Sequence, residues 1–84
     1  MKMIILIPAY NEEDTISRTI QNIPSSFEGI DEISILVVDD GSTDDTAAIA
    51  ARFPSVRLLR HAENLGLSAA RNTGIAAARG EVIA

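Results

Sequence analysis

The chain has 84 residues, 46% of them hydrophobic, with no cysteine and a formal net charge of −5. That length allows one small domain, which buries roughly 60% of its unfolded surface, and the apolar share argues against disorder. The acidic balance disfavours nonspecific binding to nucleic acid or an anionic membrane, although a nucleotide remains admissible as a small ligand, and the lack of thiols removes disulfide and thiolate–metal schemes.

The first predicted element is a strand over 3–8, apolar and β-branched, which stops at Tyr10-Asn11-Glu12-Glu13. This apolar run is too short for a secretory h-region, and no stretch approaches the roughly 20 residues of a membrane span. Ile16, Ile20 and Ile23 at i, i+4 and i+7 predict a helix over 13–23, ended by Pro24, and 25–31 reads as a polar loop. A second strand over 33–38 is apolar throughout, as a central parallel strand should be, and ends at Asp39-Asp40-Gly41.

Ser42 or Thr43 is expected to cap a second helix. Asp44 and Asp45 fall in its first turn, and Ile49, Ala50 and Phe53 line one face before Pro54. A third strand is predicted over 56–60, a loop over 61–66, and a third helix over 68–79. The small residues Ala70, Gly74, Ala77 and Ala78 let that helix lie close to a sheet, and Gly80 suits its C′ position. Glu81 to Ala84 reads as a fourth strand just beginning, so a truncated product is expected. The βαβαβαβ pattern predicts an α/β fold with a Rossmann-like parallel sheet and right-handed crossovers. All of 1–84 then forms a single, incomplete domain.

In such a sheet both acidic clusters leave at the carboxyl ends of the strands, where α/β folds bind ligands. Asp39 is the stronger candidate acceptor for a base or ribose. Adjacent strand residues point to opposite faces, so without a sharp turn at Gly41 only one of Asp39 and Asp40 faces a shared pocket. Tyr10 offers a flat face and Glu12 an acceptor, and Pro8 frees the backbone after the first strand. The plainer alternative is that Asn11 caps the next helix while Glu12 and Glu13 complement its dipole. Asp44 and Asp45 read as first-turn acids that need no ligand. Arg71, early in the third helix, fits either an anion or a solvated surface. His61, without a second ligand at metal spacing, reads as a loop residue, and Arg60 is assigned nothing. No glycine-rich phosphate loop and no nucleophile elbow is present. A phosphoacceptor receiver domain is disfavoured because the third strand ends in Leu59-Arg60-His61 rather than an aspartate.

Three ordered blocks carry a more specific likeness: 7–13 (IPAYNEE), 37–44 (VVDDGSTD) and 64–74 (NLGLSAARNTG). Together they resemble the nucleotide-sugar glycosyltransferases of family 2, which have the GT-A fold, over essentially the whole chain, and this implies the strand order 3-2-1-4. The resemblance implies that this segment binds the donor nucleotide, with Asp39 accepting from uracil or guanine, Pro8, Ala9 and Tyr10 flanking the base, and Glu12 holding the ribose. It places Asp40 near the diphosphate and metal, and Arg71 facing the base or phosphates. It further implies a Mg2+ or Mn2+ cofactor and, for most members, inversion at the sugar. The Asp-x-Asp metal motif and the general base would follow Ala84, so no catalytic residue or metal ligand is assigned within the 84, and the segment alone is expected to be inactive. The expected partners are a UDP- or GDP-linked sugar and an acceptor left open among lipid phosphate, polysaccharide and protein, with no nucleic acid. Self-association through a truncated sheet edge is expected, as is a cytoplasmic location, at the membrane face for a longer protein. The alternative is a nucleotide-binding module without catalysis.

Overall fold

The computed structural model describes residues 2–24, 26, 28–78 and the backbone of 81–83. Its elements run β1 (Lys2–Ala9), α1 (Ile16–Gln21), β2 (Glu32–Asp39), α2 (Thr46–Ala50), β3 (Val56–Arg60), α3 (Leu67–Ala77) and β4 (Glu81–Ile83). The four strands form one parallel sheet in the order β3-β2-β1-β4, the 3-2-1-4 order that the GT-A resemblance implies.

Strand alternation sorts the apolar side chains into two cores. Ile4, Leu6, Leu36 and Val38 pack with Ala70 of α3 on one face. Ala9 and Val37 pack with Ile16 and Ile20 of α1 and Ala50 of α2 on the other. The sheet is therefore covered on both sides, which is why residues 35–38 of β2 are apolar on both faces rather than alternating. Gly74 lets α3 sit close: a Cβ there would collide with the side chain of Leu6.

Pro8 lies inside β1, which runs one residue further, to Ala9. The Asp40 N–H donates to the Ala9 carbonyl at 2.8 Å, so Ala9 faces β2 and the Pro8 nitrogen faces the other neighbour. On that side the described residues of β4 pair with Met3–Ile5, so among the described residues the missing N–H interrupts no ladder bond.

The helices are shorter than their sequence patterns. Residues 13–15 form a turn stapled by the Glu12 carbonyl, which accepts the N–H groups of Thr15 and Ile16, and α1 begins only after it. Asn11 is not a helix cap; it sits in the left-handed region at φ 51°, a conformation asparagine tolerates better than most residues. Neither Ser42 nor Thr43 caps α2, whose N-cap is Asp45. The expectation for Gly80 lies outside the described residues.

Candidate donor-nucleotide site

The loops after β1 and β2 are laced together by reciprocal hydrogen bonds. Ser42 Oγ accepts the Asn11 N–H at 2.9 Å, and Asn11 Oδ1 accepts the Thr43 N–H at 2.9 Å. Thr46 Oγ1 accepts the Glu12 N–H at 2.8 Å. Glu13 completes the exchange: its N–H donates to Asp44 Oδ2 at 3.3 Å and its Oε2 accepts from the Asp45 N–H at 3.1 Å. Asp44 Oδ1 also takes the Thr46 N–H at 2.9 Å, an Asx turn that starts α2. Burial disfavours the Asp44 carboxylate, but bonds from the Thr46 hydroxyl, the Thr46 N–H and the Glu13 N–H outweigh it and hold its pKa below the ordinary value. The hydroxyl and acidic residues of 42–46 thus order two loops at once.

Asp39 and Asp40 are both fully buried, and they point to opposite faces. Asp39 continues the α1–α2 face, where Oδ1 accepts from the Ser42 hydroxyl and Oδ2 pairs with Arg60 Nε at 3.1 Å. The pairing follows from register, since Asp39 and Arg60 lie directly opposite on β2 and β3. Asp40 turns to the α3 face. Its Oδ1 takes the Leu65 N–H at 3.0 Å and meets His61 Nδ1 at 2.7 Å, and its Oδ2 takes the Gly66 N–H at 2.8 Å. The Leu65 N–H and then the His61 ring hold the Asp40 carboxyl below its ordinary pKa despite burial, so it is ionised at neutral pH.

Gly41, at φ 70°, permits the turn between them, and a Cβ there would strike the backbone of Glu63 and Asn64. The turn does not bring both carboxylates to one side. Asp40 is the one that lines the cleft, while Asp39 is taken up by Ser42 and Arg60 on the opposite face.

The cleft opens at the carboxyl ends of β1 and β2 with a volume of about 510 Å³. Pro8, Tyr10 and Glu12 form one wall, Asn64, Gly66 and Leu67 the other, and Asp40 lies at the floor. Tyr10 is 39% exposed, so its ring is available at the mouth. Glu12 is exposed, with Oε2 accepting from the Thr15 hydroxyl at 2.7 Å. Of the residues expected from the sequence, Pro8, Tyr10, Glu12 and Asp40 meet here. Ala9 is buried in the α1-side core and borders a neighbouring hollow beside Pro8. Arg71 stands exposed on α3, outside the cleft lining and without a hydrogen bond or ion pair among the described residues.

Two residues given no role by sequence reasoning take part. Arg60 pairs with Asp39, and His61, mostly buried, bridges Asp40 and Thr73. No short-range pattern announces either contact, because each spans 21 residues and depends on strand register. No group of three or more histidine, cysteine, aspartate or glutamate side chains suited to a metal ion occurs among the described residues. These residues therefore do not fit a divalent cation by themselves.

A family model described as "Glycosyl transferase family 2" matches residues 4–84. The chain belongs to that family. This family 2 chain is similar to the succinoglycan biosynthesis protein ExoO of Rhizobium meliloti, 44% identical over 81 residues that cover 94% of this chain and 23% of ExoO. It superimposes on the mannosyltransferase PcManGT of Pyrobaculum calidifontis, solved in complex with GDP-Man and Mn2+, with a TM-score of 0.83. That match has 31% identity and covers 95% of this chain and 25% of that one. S. aureus TarS (1-349) matches with a TM-score of 0.76 at 30% identity, over 99% of this chain and 26% of TarS. The sheet is thus that of a GT-A glycosyltransferase. The chain spans about a quarter of the length of the curated relatives it matches.

Proposed function

We propose that these residues form the donor-nucleotide half of a glycosyltransferase that moves a sugar from a UDP- or GDP-linked donor to a nucleophilic acceptor. The observation that carries this reading is the cleft at the ends of β1 and β2, walled by Tyr10 and Glu12 and floored by the ionised Asp40. In this reading Tyr10 lies against the base, Glu12 accepts from the ribose hydroxyls, and Asp40 supplies negative charge at the base end. Asp39 acts indirectly, by holding Ser42 and Arg60, and Arg71 reaches the diphosphate only through a change of position. The PcManGT complex supports a nucleotide-sugar donor and a Mg2+ or Mn2+ cofactor. Ligands for that cation would come from residues outside the 84, as would the base that deprotonates an acceptor for inversion. A cytoplasmic location, at the membrane face for a lipid-linked acceptor, belongs to the same proposal.

The test is titration of the protein as encoded with UDP and GDP, with and without Mn2+, followed by calorimetry and amide NMR shifts. Shifts at Tyr10, Glu12 and Gly66, with affinity lost in Tyr10→Ala, support the reading and name the base. A folded protein that binds neither nucleotide rules it out.

A further inference from the structure

His61 closes a chain of polar contacts from α3 to the floor of the cleft. Thr73 Oγ1 on α3 meets His61 Nε2 at 2.8 Å, and His61 Nδ1 meets Asp40 Oδ1 at 2.7 Å. Asp40 then takes the backbone N–H groups of Leu65 and Gly66. The segment between β3 and α3 has no regular structure of its own, and Leu65 is 57% exposed, so apolar burial does not anchor it. Its Leu65–Gly66 end is held by the Asp40 carboxylate. That carboxylate in turn has three donors among the described residues, and His61 is the one of them supplied by a side chain. Because ionised Asp40 only accepts, Nδ1 must carry a proton, and in the neutral ring Nε2 then accepts the Thr73 hydroxyl.

We propose that His61 is a positioning residue for the cleft: by locking the Asp40 carboxylate to α3, it fixes the Leu65–Gly66 backbone and so the wall made by Asn64, Gly66 and Leu67. The effect on nucleotide affinity rests on the donor reading above; the effect on the wall does not.

The experiment compares the native protein as encoded with His61→Leu, which keeps bulk without an N–H, and His61→Asn, whose amide N–H falls near the Nδ1 position. Two readouts are taken: backbone amide hydrogen exchange, and titration with UDP and GDP in Mn2+. In His61→Leu the Leu65 and Gly66 amides should exchange about tenfold faster or more, as expected for loss of a charge-assisted bond. The Leu36 and Val37 amides of β2 should keep native protection. Nucleotide Kd should rise by about the same factor, and His61→Asn should return both readouts to within about threefold of native, the Thr73 bond alone being lost.

Unchanged exchange at Leu65 and Gly66 overturns the proposal, as does equal acceleration at Leu36 and Val37 or failure of His61→Asn to restore. If His61→Leu does not fold, Thr73→Val removes the same outer bond that His61→Asn lacks, and it must accelerate Leu65 and Gly66 selectively and to the same extent as His61→Asn, by no more than about threefold. A native protein that binds neither nucleotide overturns the donor reading, while the exchange measurement, which needs no ligand, still decides the role of His61.

Discussion

Asp40 joins burial, charge and chain geometry in one side chain. Its folded pKa is depressed, so the stability it contributes is present above the ordinary aspartate value of 3.8 and is lost as pH falls through the lower folded value. Asp44 is shifted the same way and adds to the same slope. Denaturation midpoints measured from pH 6 downward should therefore fall steeply below about pH 4, and Asp40→Asn should flatten that slope. Gly41 is constrained twice, by a positive φ and by the backbone of Glu63 and Asn64. Gly41→Ala should cost roughly 1–3 kcal/mol in urea unfolding, with more if the 61–66 loop cannot shift. A neutral result there would show that the loop gives way freely.

Between elements, the main interaction is the lacing of the β1–α1 loop to the β2–α2 loop. Thr46 is its buried centre, accepting from the Glu12 N–H while its own hydroxyl donates to Asp44. Thr46→Val keeps the shape and removes both bonds, leaving the Glu12 N–H unmet at a cost of about 1–3 kcal/mol. A double-mutant cycle with Asp44→Ala should show coupling, because the two residues share one network. On the other face, α3 approaches the sheet at Gly74. Gly74→Val would drive a side chain into Leu6 and should destabilise by roughly 1–3 kcal/mol through overpacking, with Leu6→Ala partly relieving it. Absence of that relief would place the strain elsewhere in α3.

The described residues form a doubly covered parallel sheet whose cleft at the carboxyl edge is walled largely by loops. Its strand order reverses between β1 and β4, so the cleft beside the end of β1 lies at the kind of switch point where open α/β sheets bind ligands. Tyr10 is exposed at the mouth and contributes little to either core. Tyr10→Ala should therefore leave the thermal midpoint within a degree or two of native, on the order of the ±0.5 kcal/mol of a surface change, while weakening UDP or GDP binding about tenfold. A fall in stability equal to the fall in affinity would make Tyr10 a packing residue instead.

Element types and the parallel sheet were legible in the chain because hydrophobic periodicity, Pro and Gly breaks and short connections admit few architectures, while the strand order came with the family resemblance. The wall residues Tyr10 and Glu12 were legible too, since they follow an apolar run whose end must lie at the ligand edge. Which of Asp39 and Asp40 faces the cleft was not legible. That depends on the pleat of β2 and on whether Gly41 bends far enough to override it, and the two bond sets show that it does not. Helix starts were misjudged where side chains that resemble caps, Asn11 and Ser42, bond across to the neighbouring loop instead. Arg60 stayed hidden because Asp39 lies opposite it only once the sheet is registered, and His61 because its partners, Asp40 just past β2 and Thr73 on α3, meet it only in the folded chain. Local pattern specifies which groups exist and where the chain turns. Which groups meet is a matter of three-dimensional proximity, since contacts across 21 residues leave no periodic trace in the sequence.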